Sequence, residues 1–145
     1  KPAAGKTVSF FYITSNGAAN VRKSTDYIAE MISLAGGKYI FDDLTDDTAK
    51  STVNMQMESF YAGAKDADVM IYNATIDSEL QTLDQLLEKN APLLADFKAV
   101  KTGNVWCTEK NLYQSTMELD ELIRDFHTVI ADGDPSTLKY LHKLS

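Results

Sequence analysis

Cysteine, histidine and basic residues are scarce in this chain, and each shortage closes off a class of function. The 145 residues include one cysteine, Cys107, so no disulfide can form within the chain. The two histidines, His127 and His142, do not stand at ligand spacing and neither neighbours the cysteine, so no metal site is expected. Basic residues number 14 against 21 acidic ones, a net charge of −7. Nucleic acid and anionic membrane surfaces both require clustered Lys and Arg, so neither is expected as a partner. No apolar run approaches the roughly 20 residues that a membrane-spanning helix needs. There is no Gly-x-Ser-x-Gly elbow, and Cys107 reads as a small buried hydrophobe rather than a nucleophile. No signal peptide or lipobox is visible, and residues 1–6 read as an irregular lead-in.

What is present is a regular alternation of elements. The β-rich run Val8-Ser9-Phe10-Phe11-Tyr12-Ile13 predicts a strand buried on both faces. Ser15-Asn16-Gly17 breaks it, and a polar loop is expected to about Lys23. Ser24 or Thr25 is placed to cap a helix with Ile28, Met31, Ile32 and Ala35 on one side. Gly36-Gly37 ends that helix in the left-handed position that glycine favours. Tyr39-Ile40-Phe41 predicts a second strand, 42–52 an acidic loop, and 53–65 a helix. A third buried strand is expected over 69–73, and a leucine-faced helix starts at Asp77 with Pro92 interrupting the region. A fourth strand follows at 104–107. A strongly amphipathic helix covers 116–130, and a last short helix 136–144. The resulting fold class is α/β: one domain over 1–145, a three-layer α/β/α sandwich around a mostly parallel sheet.

In such sheets ligands lie beyond the C-terminal ends of the strands. Tyr12, Asn16, Asn20 and Arg22 fall at one such place, where a guanidinium would suit an anionic ligand; the alternative for Arg22 is a solvated side chain ahead of a helix. Trp106, Tyr113 and Gln114 fall at another, where aromatics suit a flat or bulky ligand, although Trp106 alternates with Cys107 and suits the core as well. These loops offer Asp, Asn, Arg and Tyr but no convergent acid, base or nucleophile, so no catalytic residue, cofactor or enzyme activity is expected. The acidic run 42–47 lacks the glycine and terminal Glu of a calcium loop. Asn73-Ala74-Thr75 matches a glycosylation sequon, a weak three-residue signal.

Three segments carry a family resemblance: Leu34-Ala35-Gly36-Gly37, Asp66-Ala67-Asp68-Val69-Met70-Ile71-Tyr72, and 97–106 from Phe97 through Gly103 to Trp106. In this order they resemble the C-terminal lobe of ABC-importer substrate-binding proteins of the iron-siderophore, haem and cobalamin class, over residues 8–130. The resemblance implies an isolated C-terminal lobe, with the N-terminal lobe and the helix joining the two absent. It implies a solute-binding role outside the cytoplasmic membrane, in a periplasm or as a bacterial cell-surface lipoprotein. The solute is expected to be an iron chelate or haem, with cobalamin, or a stand-alone sensor domain, as the alternative. The implied partners are an ABC permease and the missing lobe. Tyr12 matches an aromatic cleft position of the cobalamin binders. Glu58, in Val53-Asn54-Met55-Gln56-Met57-Glu58, matches the family's permease-docking carboxylate, with two extra residues before Asp68 and Ala67 in place of the usual Pro.

Overall fold

A computed structural model describes residues 6–23, 26–41, 52–74, 80–89, 91–109 and 119–145. The first strand, β1 (Thr7–Ile13), sits mid-sheet, and its alternation divides the core. Val8 and Phe10 face one side with Val69, Ile71 and Trp106; Phe11 and Ile13 face the other with Met70, Tyr72 and Cys107. Apolar side chains on both faces demand cover on both faces. Helices α1 (Tyr27–Leu34) and α6 (Leu119–Ile130) cover the first, through Ile28, Ile32, Leu122 and Phe126. Helices α2 (Met57–Ala64), α3 (Leu83–Leu87), α4 (Ala91–Leu94) and α5 (Lys98–Thr102) cover the second, through Phe60, Leu86, Leu94 and Ala99. Phe60 anchors that layer, stacked on Phe97 at 5.4 Å and tilted against Phe11 at 4.5 Å.

The sheet has seven strands. The others are β2 (Ala19–Arg22), β3 (Lys38–Tyr39), β4 (Thr52–Met55), β5 (Val69–Tyr72), β6 (Val105–Thr108) and β7 (Leu141–Lys143). β1, β3, β5 and β6 pair in parallel. β4 shares their direction, because it is antiparallel to β2 and β2 is antiparallel to β1. β7 closes the far edge antiparallel to β6. The three layers are those expected, and the sheet is mixed: parallel at its centre, with an antiparallel strand on each flank.

Three local expectations need correction. The predicted loop 14–23 is a hairpin, in which β2 returns along β1 after a turn at 14–18. The predicted helix 53–65 starts only at Met57, because residues 52–55 are recruited as a strand by β2. The predicted last helix 136–144 is a single 3₁₀ turn, Pro135–Thr137, followed by β7. Asp125 explains this last change. Its buried carboxylate accepts the Lys139 and Tyr140 amides at 2.9 and 2.7 Å, so they are not available to a helix. Candidate cap residues Ser24 and Thr25, the acidic run 42–47 and the helix start at Asp77 lie outside the described residues. The observed cap of α1 is Asp26, and the observed cap of α3 is Thr82, in a capping box with Gln85.

Gly36-Gly37 does end α1 as expected. Gly36 has φ 97°, and the Gly36 and Gly37 amides donate to the Ser33 and Ile32 carbonyls, the paired bonds of a Schellman motif. Gly37 is also needed for closeness, since a Cβ there would lie 2.7 Å from Cδ1 of Ile130. The sequon residue Asn73 is buried and so is not presented as an acceptor.

Asp125 carries a pH signature. Burial pushes its carboxyl above the usual range, outweighing the two amide donors. The folded chain therefore holds this proton to higher pH than the unfolded chain. The resulting stabilisation is complete below the unfolded pKa and is lost as pH rises through the folded one. Asp125→Asn, which cannot ionise, should gain stability relative to the parent as pH rises through and above the range in which the unfolded carboxyl ionises. Denaturant midpoints across that range check this; a gap that moves the opposite way would refute it.

Candidate functional site

The C-terminal ends of the parallel strands gather the turn after β1, the start of α2, and the exits of β5 and β6. The β1–β2 turn is tightly built. Thr14 N–H donates to the Ala18 carbonyl at 2.8 Å, Gly17 N–H to the Thr14 carbonyl at 2.9 Å, and Ala18 N–H to Thr14 Oγ1 at 3.0 Å. The Thr14 hydroxyl donates to Oδ1 of Asn16, and Gly17 supplies the φ of 87° that the turn requires. This holds Asn16 at an exposed tip. Behind it, register aligns Tyr12, Asn20 and Asn54 in one row across β1, β2 and β4, and Asn20 Nδ2 donates to Asn54 Oδ1 at 2.7 Å.

An open depression of about 600 Å³ lies beside this turn, lined by Asn16, Gly17, Ala18, Gln56, Met57 and Glu58. Gln56 occupies the N-cap of α2 without a side-chain capping bond. Glu58 is exposed in the first turn, where the positive end of the helix dipole favours a carboxylate. Asn16 and Glu58, expected to serve different roles, thus line the same depression.

Arg22 is placed differently from its expected position in a ligand loop. Its side chain is only 13% exposed, pairs with Asp26 at 3.4 Å, and lies 5.7 Å from the centre of the Phe10 ring. Asp26 in turn accepts the Ile28 amide at 2.9 Å and caps α1. The Tyr39 hydroxyl donates to the Arg22 carbonyl at 2.7 Å and accepts its amide at 2.9 Å; burial raises the pKa of this phenol. Arg22 is therefore the cation of an internal network joining β2, β3 and α1.

Trp106 belongs to the core. It is buried among Phe126, Ile71 and Leu141, and its Nε1 donates to Asn104 Oδ1 at 2.9 Å. Tyr113 and Gln114 lie outside the described residues. Cys107 is fully buried and stands across the ladder from His142, but the ring nitrogens of His142 lie at Glu109 and the Leu80 carbonyl. That arrangement does not activate a thiol.

Sequence reasoning missed the polar group at the exits of β5 and β6. Ala74 N–H donates to Thr108 Oγ1 at 2.8 Å. His142 Nδ1 lies 2.7 Å from Glu109 Oε2, and Nε2 lies 2.6 Å from the Leu80 carbonyl. Leu141 and Leu144, three apart, give a helical signal that hid the strand and its histidine.

No protein-family model matches the chain. In sequence it is 34% identical over 126 residues to an uncharacterized lipoprotein of Methanocaldococcus jannaschii, MJ0878; the match covers 86% of this chain and 28% of that protein. In structure it is similar over its whole length to 49% of a periplasmic haem-binding protein from Pseudomonas aeruginosa, with a TM-score of 0.70 and 16% identity. A second similarity, TM-score 0.63 and 13% identity, joins 86% of this chain to 41% of a protein of an ABC-type Fe3+-hydroxamate transport system from Saccharomonospora viridis. The chain thus spans less than a third of the curated relative and about half of the solved chains. It has the fold of one lobe of the periplasmic binding proteins of iron and haem ABC transporters.

Proposed function

We propose that this domain is the C-terminal lobe of an extracytoplasmic solute-binding protein that captures an iron complex, a ferric siderophore or haem, and hands it to an ABC permease. The observation that carries this reading is the likeness of the whole chain to about half of a haem-binding protein. The lipoprotein name of the sequence relative supports a place outside the cytoplasmic membrane. The strand-end face of the lobe, with Tyr12, Asn16 and Asn20, supplies one wall of a cleft, and a second lobe supplies the other. Capture and release need no bond chemistry, only two walls that close on the solute and open again at the permease.

Glu58 is the docking carboxylate in this reading. It is exposed, and its place at a helix start beside the Asn16 turn lets it meet a cation of the permease. An exposed rim charge governs encounter and register more than solute affinity. In the two-lobed protein, Glu58→Arg should leave solute affinity within about twofold and cut uptake into reconstituted vesicles by about tenfold, with Glu58→Ala falling less. Normal uptake by Glu58→Arg would remove the docking role. Failure of the two-lobed parent to bind ferric hydroxamate or haem would remove the function itself.

A further inference from the structure

We propose that His142 is a protonation-dependent latch that ties the exit of β6 to the segment leading into α3. Its two ring nitrogens lie 2.7 Å from the Glu109 carboxylate and 2.6 Å from the Leu80 carbonyl. Both partners are acceptors. Only the doubly protonated ring donates to both; either neutral tautomer turns a lone pair towards an oxygen. Glu109 is the first residue after β6, and Leu80 leads into α3. The strand bearing His142 is already stitched to both. Glu109 N–H donates to the Tyr140 carbonyl at 2.7 Å, Leu83 N–H to the Ser145 oxygen at 3.2 Å, and Leu144 N–H to the Val105 carbonyl at 2.9 Å. His142 joins the two segments through one side chain.

The His142 and Glu109 side chains are 23% and 33% exposed, so their attraction is only partly screened. Among the described residues, Glu109 is the charged group paired with the ring, and buried Cys107 is its neighbour across the ladder. Lys143, next along β7, lies over Trp106, which faces the α1–α6 layer. The segment leading into α3 presents the Leu80 carbonyl, and the Ser145 oxygen is occupied by the Leu83 amide. On the function proposed above, the exit of β6 borders the solute cleft; the latch itself rests only on the geometry.

The test uses the 145-residue chain with ¹⁵N-labelled histidine, and amide exchange read residue by residue. In acid, both His142 nitrogens should carry protons. As the pH is raised through the ordinary histidine range, one proton should leave. The Leu83 and Glu109 amides should then exchange roughly ten- to a hundredfold faster, after correction for intrinsic rates, the scale of one lost hydrogen bond to a charged group. His142→Gln and Glu109→Gln should each exchange fast throughout and lose the pH dependence. Glu109→Gln carries the test if His142→Gln fails to fold. A ring with a single proton across the range, or amides indifferent to pH and to both substitutions, would overturn the latch. No solute enters these measurements, so the latch and the proposed function fail separately.

Discussion

Asp26→Ala should destabilise the domain by about 3–5 kcal/mol, the scale of breaking a buried ion pair from one side. Two losses coincide. The Ile28 amide loses its cap, which is worth about 1 kcal/mol. Arg22 keeps a guanidinium that is only 13% exposed and has lost its carboxylate. The stranded charge dominates, because a cation cannot cheaply return to water while β2 and Tyr39 hold its backbone. Asp26→Asn should fall between, since an amide oxygen still accepts from Ile28 but brings no charge. In thermal melts, Asp26→Ala should lower Tm by about 10 °C or more. A loss below about 1 kcal/mol would mean that Arg22 swings freely into solvent, and would restore it as a candidate for the ligand.

The second large effect concerns the solute. A cleft between two lobes shares its contacts between them. If a complete site is worth about −10 kcal/mol, one wall retains about half of that. Affinity then falls from tens of nanomolar to about a hundred micromolar or weaker, at least a thousandfold. An open wall would also leave water on the second face of the ligand, so the contacts proposed for Asn16 and Asn20 would compete with solvent. The 145-residue chain alone should accordingly show little heat with haem or a ferric hydroxamate, while remaining cooperatively folded around its two apolar layers.

Much of this fold was legible because burial on both faces leaves a plain mark. The runs containing Phe10-Phe11 and Met70-Ile71 have too few polar residues for a half-exposed sheet, and they are the central parallel strands. Gly36-Gly37 announced a helix end that the Schellman bonds display. What escaped was structure decided by partners distant in sequence. Residues 52–55 are a strand because β2 lies beside them, and β7 exists because Asp125 takes two amides from across the chain. At the site, position was easier to read than engagement. Asn16 stands at a strand end as its turn signal implied, whereas Arg22 is withdrawn by an Asp four residues on, a spacing that the expected loop concealed. His142 carried no local signal, because its two partners, Leu80 and Glu109, come from other loops.

Whether the cleft is shared is decided by calorimetric titration of haem and of a ferric hydroxamate into two proteins: the 145-residue chain, and a longer protein in which this lobe is joined to a preceding one. One of these ligands should bind the two-lobed protein with submicromolar affinity, and the single lobe at least a thousandfold more weakly. Equally tight binding by the single lobe would contradict the shared cleft, and no binding of either iron complex by the two-lobed protein would contradict the proposed function.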